Sequence, residues 1–216
     1  MDSLVEQMSS FLLGGRAWTV DRVSHEDREI VVREAPRGVK PAWGGFIPQH
    51  LGFEVCQRMR RALIEGVRYP YLDDAAAKHL VEKRADLGDL LRREGPAVQL
   101  DGGIARWWTF AGGRINHTVK YAFEVLEGWK AVADNFQLRT EGDAVTHESV
   151  RSAIRRMASA SFWEEPATRK AILARLPGYR LSKFQDCLPE PFALEVIENH
   201  LLDVEGTVRW LGGLGA

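Results

Sequence analysis

The apolar positions at the start of the chain alternate. In "FLLGGRAWTVDRV", Trp18 and Val20 fall on one side and Thr19 and Asp21 on the other; "REIVVRE" is a second strand-like run after the polar "SHEDR". Period-two alternation with a polar break is the pattern of two strands joined by a turn. Residues 9–45 are therefore predicted to form a small β-rich module built on a hairpin. "APRGVKPAWGG" ends the pattern with two prolines and three glycines and reads as a loop.

From Leu51 the period changes. Leu51, Val55, Met59 and Leu63 recur every fourth residue, which predicts an amphipathic helix over 49–65. Residues 72–93 also read as helix, stopped by Gly95-Pro96. "ARWWTFAG" has the propensity of a strand, Gly112-Gly113 supplies a turn, and Ile115, Val119, Ala122 and Leu126 then trace one helical face. "NFQLRT" alternates again, with Phe136 and Leu138 against Gln137 and Arg139. Residues 105–141 are thus predicted as strand, helix, strand. Three helices follow: 146–160 opened by Thr146, about 164–175 with Pro166 in its first turn, and one near 190–203. The expected class is α+β, with the β-rich module over 9–45 packed on a mainly helical domain over 46–212 that contains the strand–helix–strand unit.

Composition narrows the class of protein. At 216 residues, 45% hydrophobic and 27% charged, the chain has the make-up of an ordinary soluble globular protein. No apolar run approaches the roughly 18 residues of a membrane span, and "MDSLVEQMSS" lacks the cationic and apolar regions of a signal peptide. Cys56 and Cys187 form no CxxC pair, so the expectation is a cytoplasmic protein with reduced thiols and no membrane partner. The net charge of −1 bears on partners. A free-standing duplex binder carries a positive excess to neutralise phosphates; here any nucleic-acid contact must be a local patch or be shared with other domains.

The chemistry-bearing motifs are mostly absent. There is no GxxxxGK[ST], GxGxxG, HExxH or GxSxG. "LLGGR" and "FAGGR" each place an arginine after Gly-Gly; such a turn either offers N–H groups to a phosphate, with Arg114 adding charge, or is simply tight. His79, His117, His147 and His200 have no second ligand at i+3 or i+4 and read as surface or capping residues. Asp73-Asp74 and Glu164-Glu165 are adjacent on helices, so their carboxylates diverge and suit first-turn positions rather than acid–base catalysis. Cys187 has no neighbouring base and reads as a small packing residue. With no nucleophile–base pair, the chain is expected to be non-catalytic alone and to carry no cofactor or metal.

Aromatic and basic residues offer more. Trp43, in "VKPAWGG", either plugs the β-module or stays exposed to stack on a base. Arg58 and Arg61 share a helical face, as do Arg151 and Arg155 with Arg156 adjacent; each set is either solvated surface or a phosphate-tracking stripe. Trp107 and Trp108 must point to opposite faces of a strand and cannot form one platform. One would anchor the strand to the helical domain and the other could meet the β-module. The Gly112-Gly113 turn then sets Arg114 and Asn116 at the start of the next helix, where they are the better functional candidates.

Three segments, "FLLGGRAWTVDRV…VVREAPRG…PAWGG", "RWWTFAGGRIN" and "SKFQDCLP…LLDVEG", occur in an order that resembles the C-terminal accessory region of large helicase-related (Lhr-type) superfamily 2 DEAD/DEAH-box helicases. The likeness spans about residues 9–205. It implies a β-barrel module and a helical region beside a motor of two RecA-like domains. That motor holds the ATP and magnesium of an ATP-dependent helicase, and its motifs are absent from this sequence. The implied function is to guide or clamp single-stranded DNA or RNA next to motor domains supplied in cis or in trans. Trp43, Arg58, Arg61, Arg114 and Asn116 are the expected nucleic-acid contacts. The other class left open is a protein-interaction or scaffolding module that docks the motor or a partner without touching nucleic acid; the near-neutral charge favours it.

Overall fold

A computed structural model of the chain describes residues 10–24, 26–27, 29–36, 49–142, 145–179, 181 and 184–214. The chain divides into two compact units, Met1–Phe46 and Ile47–Ala216.

In the first unit, β1 (Ser10–Leu13), β2 (Arg16–Ser24) and β3 (Glu29–Glu34) form an antiparallel meander. The stretch read as one strand is a hairpin. Gly14 and Gly15 both take positive φ, 60° and 77°, as a two-residue primed turn requires, and they set Leu13 opposite Arg16. A bulge between Val20 and Arg22 takes Asp21 out of register, where its carboxylate accepts from Arg33 Nε at 2.9 Å. Val20 is fully buried and Trp18 half-buried. The barrel is not closed: among the described residues three strands make an open sheet, too few to curl shut on themselves. The loop that carries Trp43 lies outside the described residues.

The second unit begins with two helices, α1 (Phe53–Ile64) and α2 (Asp74–Arg92). Strands β4 (Val98–Asp101) and β5 (Ile104–Trp108), helix α3 (Gly113–Leu126), and strands β6 (Lys130–Ala133) and β7 (Gln137–Glu141) follow. The remainder is helical: α4 (His147–Met157), α5 (Ala160–Glu164), α6 (Pro166–Leu173), a 3-10 turn at Gln185–Cys187, α7 (Glu190–Leu201) and α8 (Val204–Gly212). The sheet is antiparallel throughout, in the order β4-β5-β7-β6. The α+β class stands, with β4, β6, α5 and α8 added to the predicted plan.

Helix α3 is the hub. Ile115, Val119 and Ala122 are buried as their spacing predicts, and α3 touches α4, α6, α7, α8, β6 and β7. Trp107 joins this core at 3% exposure and stacks on Trp210 of α8 with ring centroids 5.3 Å apart. Removing an aromatic of this size from water is worth about 4–6 kcal/mol. Trp108 points the other way, as neighbours on a strand must. It packs against a second, smaller core of Cys56, Leu91, Ala97 and Phe110 beneath the α1–α2 hairpin. Two corrections concern sulfur and acids. Cys187 is exposed rather than packed, whereas Cys56 is the buried thiol. Glu164 ends α5 instead of opening a helix, while Asp73 caps α2 by accepting from Ala76 N at 2.7 Å. Among the described residues no helix is long and apolar enough to cross a membrane.

Candidate nucleic-acid interface

Two places gather the residues singled out from the sequence. The first is the hairpin of α1 and α2. Its two helices are tied by arginines that donate to carbonyls at the end of α1 and α2: Arg84 Nε to Ala62 O (2.9 Å), Arg92 Nε to Ile64 O (3.2 Å) and Arg60 Nη2 to Leu91 O (2.5 Å). Cations there also oppose the negative end of the helix dipole. Gly88 is buried and lies 3.4 Å, measured from a Cβ built on it, from the Leu63 carbonyl, so the helices approach closely.

Cys56, Arg60 and Leu63 turn inward, so of the predicted apolar stripe only Leu63 reaches the core, while Leu51, Val55 and Met59 face out. Val55 is 50% exposed and Met59 43%. They line an open groove of about 820 Å³ with Arg58 and Arg61 of α1, Tyr69 and Tyr71 of the connection, and His79 and Lys83 of α2. Tyr71 is 78% exposed, and its ring centroid lies 5.6 Å from that of Tyr69. The Arg84 guanidinium sits 5.9 Å from the Tyr69 ring and holds that side chain in place. Lys83 pairs with Asp86 at 3.2 Å and His79 contacts Glu82 at 3.4 Å. Arg58 and Arg61 form no ion pair among the described residues. The groove therefore joins two aromatic faces, an apolar floor and two uncommitted cations.

The second place is the start of α3, where the turn's N–H groups and the Arg114 and Asn116 side chains are committed, while the buried His50 Nε2 and His200 Nε2 have no hydrogen-bond partner among the described residues. Gly112 N donates to Asn135 O (3.0 Å) and Gly113 N to Leu51 O (3.2 Å), so the Gly-Gly turn has no N–H left for a phosphate. Residues 49–52 lie against this turn rather than extending α1. Leu51 N donates to Asn135 Oδ1 at 2.8 Å, and α1 begins only at Phe53. The closeness explains both glycines. A Cβ on Gly112, which sits at φ +84°, would stand 2.6 Å from Leu51 O; one on Gly113 would stand 2.1 Å from His50 Nδ1. Phe110 accepts a left-handed φ of 50°, seats its ring in the second core at 4% exposure, and receives Gln57 Nε2 on its carbonyl at 2.8 Å.

Arg114 and Asn116 belong to this junction. The Arg114 guanidinium donates through Nε (3.0 Å) and Nη2 to the Leu202 carbonyl, where α7 ends. Asn116 is completely buried; it receives the Thr109 hydroxyl at 2.7 Å and donates Nδ2 to Asp134 O at 2.7 Å. That burial corrects its expected role as a nucleic-acid contact. The histidines that look scattered in sequence also meet here. The His50 ring centroid is 5.0 Å from His117 and 5.7 Å from His200, and His117 Nδ1 lies 2.8 Å from Gly113 O. Burial, then the neighbouring His117, His200 and Arg114, push the His50 pKa down to about 4. Burial lowers that of His117 as well. Among the described residues, no three His, Cys, Asp or Glu side chains could hold a metal ion.

Arg155 and Arg156 lie on acids, Glu148 at 2.9 Å and Glu127 at 4.0 Å, and so are ordinary surface. Sequence reasoning missed Tyr69, Tyr71 and Lys83. Their signal is "YPYLDD", two aromatics flanking a proline just before the capping Asp73. No protein-family model, curated protein or solved structure matches the chain.

Proposed function

We propose that the chain holds single-stranded nucleic acid in the α1–α2 groove, as an accessory module of an ATP-dependent helicase whose motor domains act in cis or in trans. The observation that carries the reading is the pairing of Tyr71, 78% exposed beside Tyr69, with Arg58 and Arg61, which have no carboxylate partner among the described residues. Bases stack on any aromatic face without regard to sequence, at about 1–3 kcal/mol per base, and guanidinium groups take phosphate oxygens bidentately. A stacked base leaves its backbone outside, where the arginines and Lys83 rim the groove. A duplex keeps its bases stacked on each other and has nothing to offer the tyrosines.

The test is a titration of labelled single-stranded and duplex oligonucleotides over a range of salt. Binding to the single strand should be weak, salt-sensitive and at least tenfold tighter than to the duplex of equal length. Equal affinity for both, or none for either, overturns the reading. A second reading, docking of an amphipathic helix from the motor or another protein, is favoured by the exposed Val55 and Met59 on the groove floor. It predicts binding of a protein partner that Val55→Asp abolishes, with no response to oligonucleotide.

A further inference from the structure

The four-stranded sheet has two unlike faces. Ala105, Trp107, Ala131, Leu138 and Thr140 turn towards α3 and are buried. On the opposite face, the end bearing Trp108 packs on the smaller core, but the other end is uncovered. There Arg106 of β5 stands directly opposite Arg139 of β7, which in turn stands opposite Val132 of β6, itself 63% exposed. The three rim a depression of about 230 Å³.

Two like charges placed directly across a strand pair repel and weaken the sheet. Nothing on the face cancels them fully. Arg139 reaches Glu141 only at 3.5 Å, and Arg106 has no carboxylate partner among the described residues; its guanidinium lies 6.0 Å from the Trp108 ring. Asp134 also borders the depression, but its carboxylate is taken by Phe136 N (2.7 Å), Gln137 N (2.9 Å) and Gln137 Nε2 (3.2 Å). Two exposed arginines in register, with Glu141 beside only one of them, leave this face with positive charge that an anion would offset.

We propose that this open face is a second phosphate subsite for the same single strand, with Arg106 and Arg139 jointly holding a backbone phosphate. The inference rests on the groove reading above, and it adds a contact that neither tyrosine nor Arg58 and Arg61 supplies. Two planar donors on adjacent strands suit the two free oxygens of a phosphodiester, and a rigid sheet holds them more firmly than a loop would. The strand's continuous charge is the complement of this face; an acidic protein segment is the rival occupant that the experiment must reject.

The experiment compares the wild-type chain with Arg106→Gln/Arg139→Gln and with Arg58→Ala/Arg61→Ala, titrating each with single-stranded oligonucleotides of graded length over a range of salt. The sheet variant should lose about tenfold in affinity for long oligonucleotides at low salt. The slope of log affinity against log salt should become shallower by about 0.7, the contribution of one phosphate neutralised on a single strand. Very short oligonucleotides, held by the groove alone, should bind it as they bind the wild type. Its melting temperature should stay level or rise, because a repulsion has been removed, so unfolding does not confuse the result. Unchanged affinity and slope in the sheet variant, with single-strand binding by the wild type and at least tenfold weaker binding by Arg58→Ala/Arg61→Ala at every length, overturns the subsite and leaves the groove reading standing. Failure of the wild type to bind any single strand overturns both.

Discussion

The start of α3 and the groove between α1 and α2 are built from the same residue types, and they use them in opposite ways. At the α3 junction Arg114 is spent on the Leu202 carbonyl, Asn116 on Thr109 and Asp134, and both glycine N–H groups on carbonyls of other segments. In the groove Arg58 and Arg61 are bonded to no acid among the described residues, and Tyr71 is mostly in water. A polar group whose bonds are satisfied inside the fold contributes to stability and has little left for a ligand. A cation or ring left open contributes little to stability and is available. The comparison separates architecture from binding, and it predicts that substitutions in the two regions will have opposite signatures.

The largest effect should come from Gly112→Ala. Its Cβ would meet the Leu51 carbonyl, a backbone atom that cannot swing away, and its φ is left-handed. Strain and overpacking together should cost about 3 kcal/mol or more, a fall in melting temperature of roughly 6–12 °C for a unit of this size. Asn116→Leu should follow at about 2–3 kcal/mol, because it replaces a fully buried amide and takes away the donor to the Asp134 carbonyl and the acceptor of the Thr109 hydroxyl, which keeps only the Phe136 carbonyl. Denaturant unfolding measures both. A loss below about 0.5 kcal/mol in either would mean that the junction is not the tight crossing described above.

Acid should loosen the same junction. His50 titrates near 4 in the fold against 6.5 when free, so between these values the unfolded chain binds a proton that the folded chain refuses. Stability is therefore fully present above about pH 6.5 and is lost as the pH falls towards about 4. His117, lowered in the same sense, adds to the loss. His50→Gln, which cannot take up the proton, should flatten this part of the pH–stability curve, and urea titrations at a series of pH values would show it. An equally steep curve in the variant would remove His50 as a source of the acid sensitivity.

How much of this was legible in the sequence follows from the range of the interactions. The buried face of α3 could be read because Ile115, Val119 and Ala122 repeat at the helical period and do meet the core. Val55 and Met59 repeat in the same way and yet stay exposed. Periodicity shows that a helix has an apolar stripe, not that anything covers it. Nor could it show Arg60 turning inward to cap the Leu91 carbonyl, since an arginine on a helix counts as polar in any such pattern. Strands β4 and β6 are four residues each, too short to display alternation. The histidine cluster joins three distant segments and leaves no local trace. Helix α8 did leave one: Asp203 accepts from Gly206 N at 2.8 Å, a capping residue at the head of an apolar run.

The smallest effects on stability belong to the groove. Tyr71→Ala, or Arg58→Ala with Arg61→Ala, should shift unfolding free energy by no more than about 0.5 kcal/mol, because these side chains are exposed and form no ion pair among the described residues. The chain alone should hydrolyse no ATP with or without nucleic acid, since phosphoryl transfer needs a phosphate cradle and metal-holding acids. Turnover that co-purifies with the folded chain would contradict that.

The most direct test sets the two regions side by side in one assay. A labelled single-stranded oligonucleotide is titrated with Arg58→Ala/Arg61→Ala/Tyr71→Ala and with Asn116→Leu, and each variant's melting temperature is measured in the same buffer. The groove variant should bind at least tenfold more weakly, with a shallower salt dependence, and melt with the wild type. Asn116→Leu should melt lower and bind normally per folded molecule. Normal binding by the groove variant, or a loss of affinity in Asn116→Leu that exceeds its loss of folded protein, would contradict the assignment of binding to the groove and architecture to the junction.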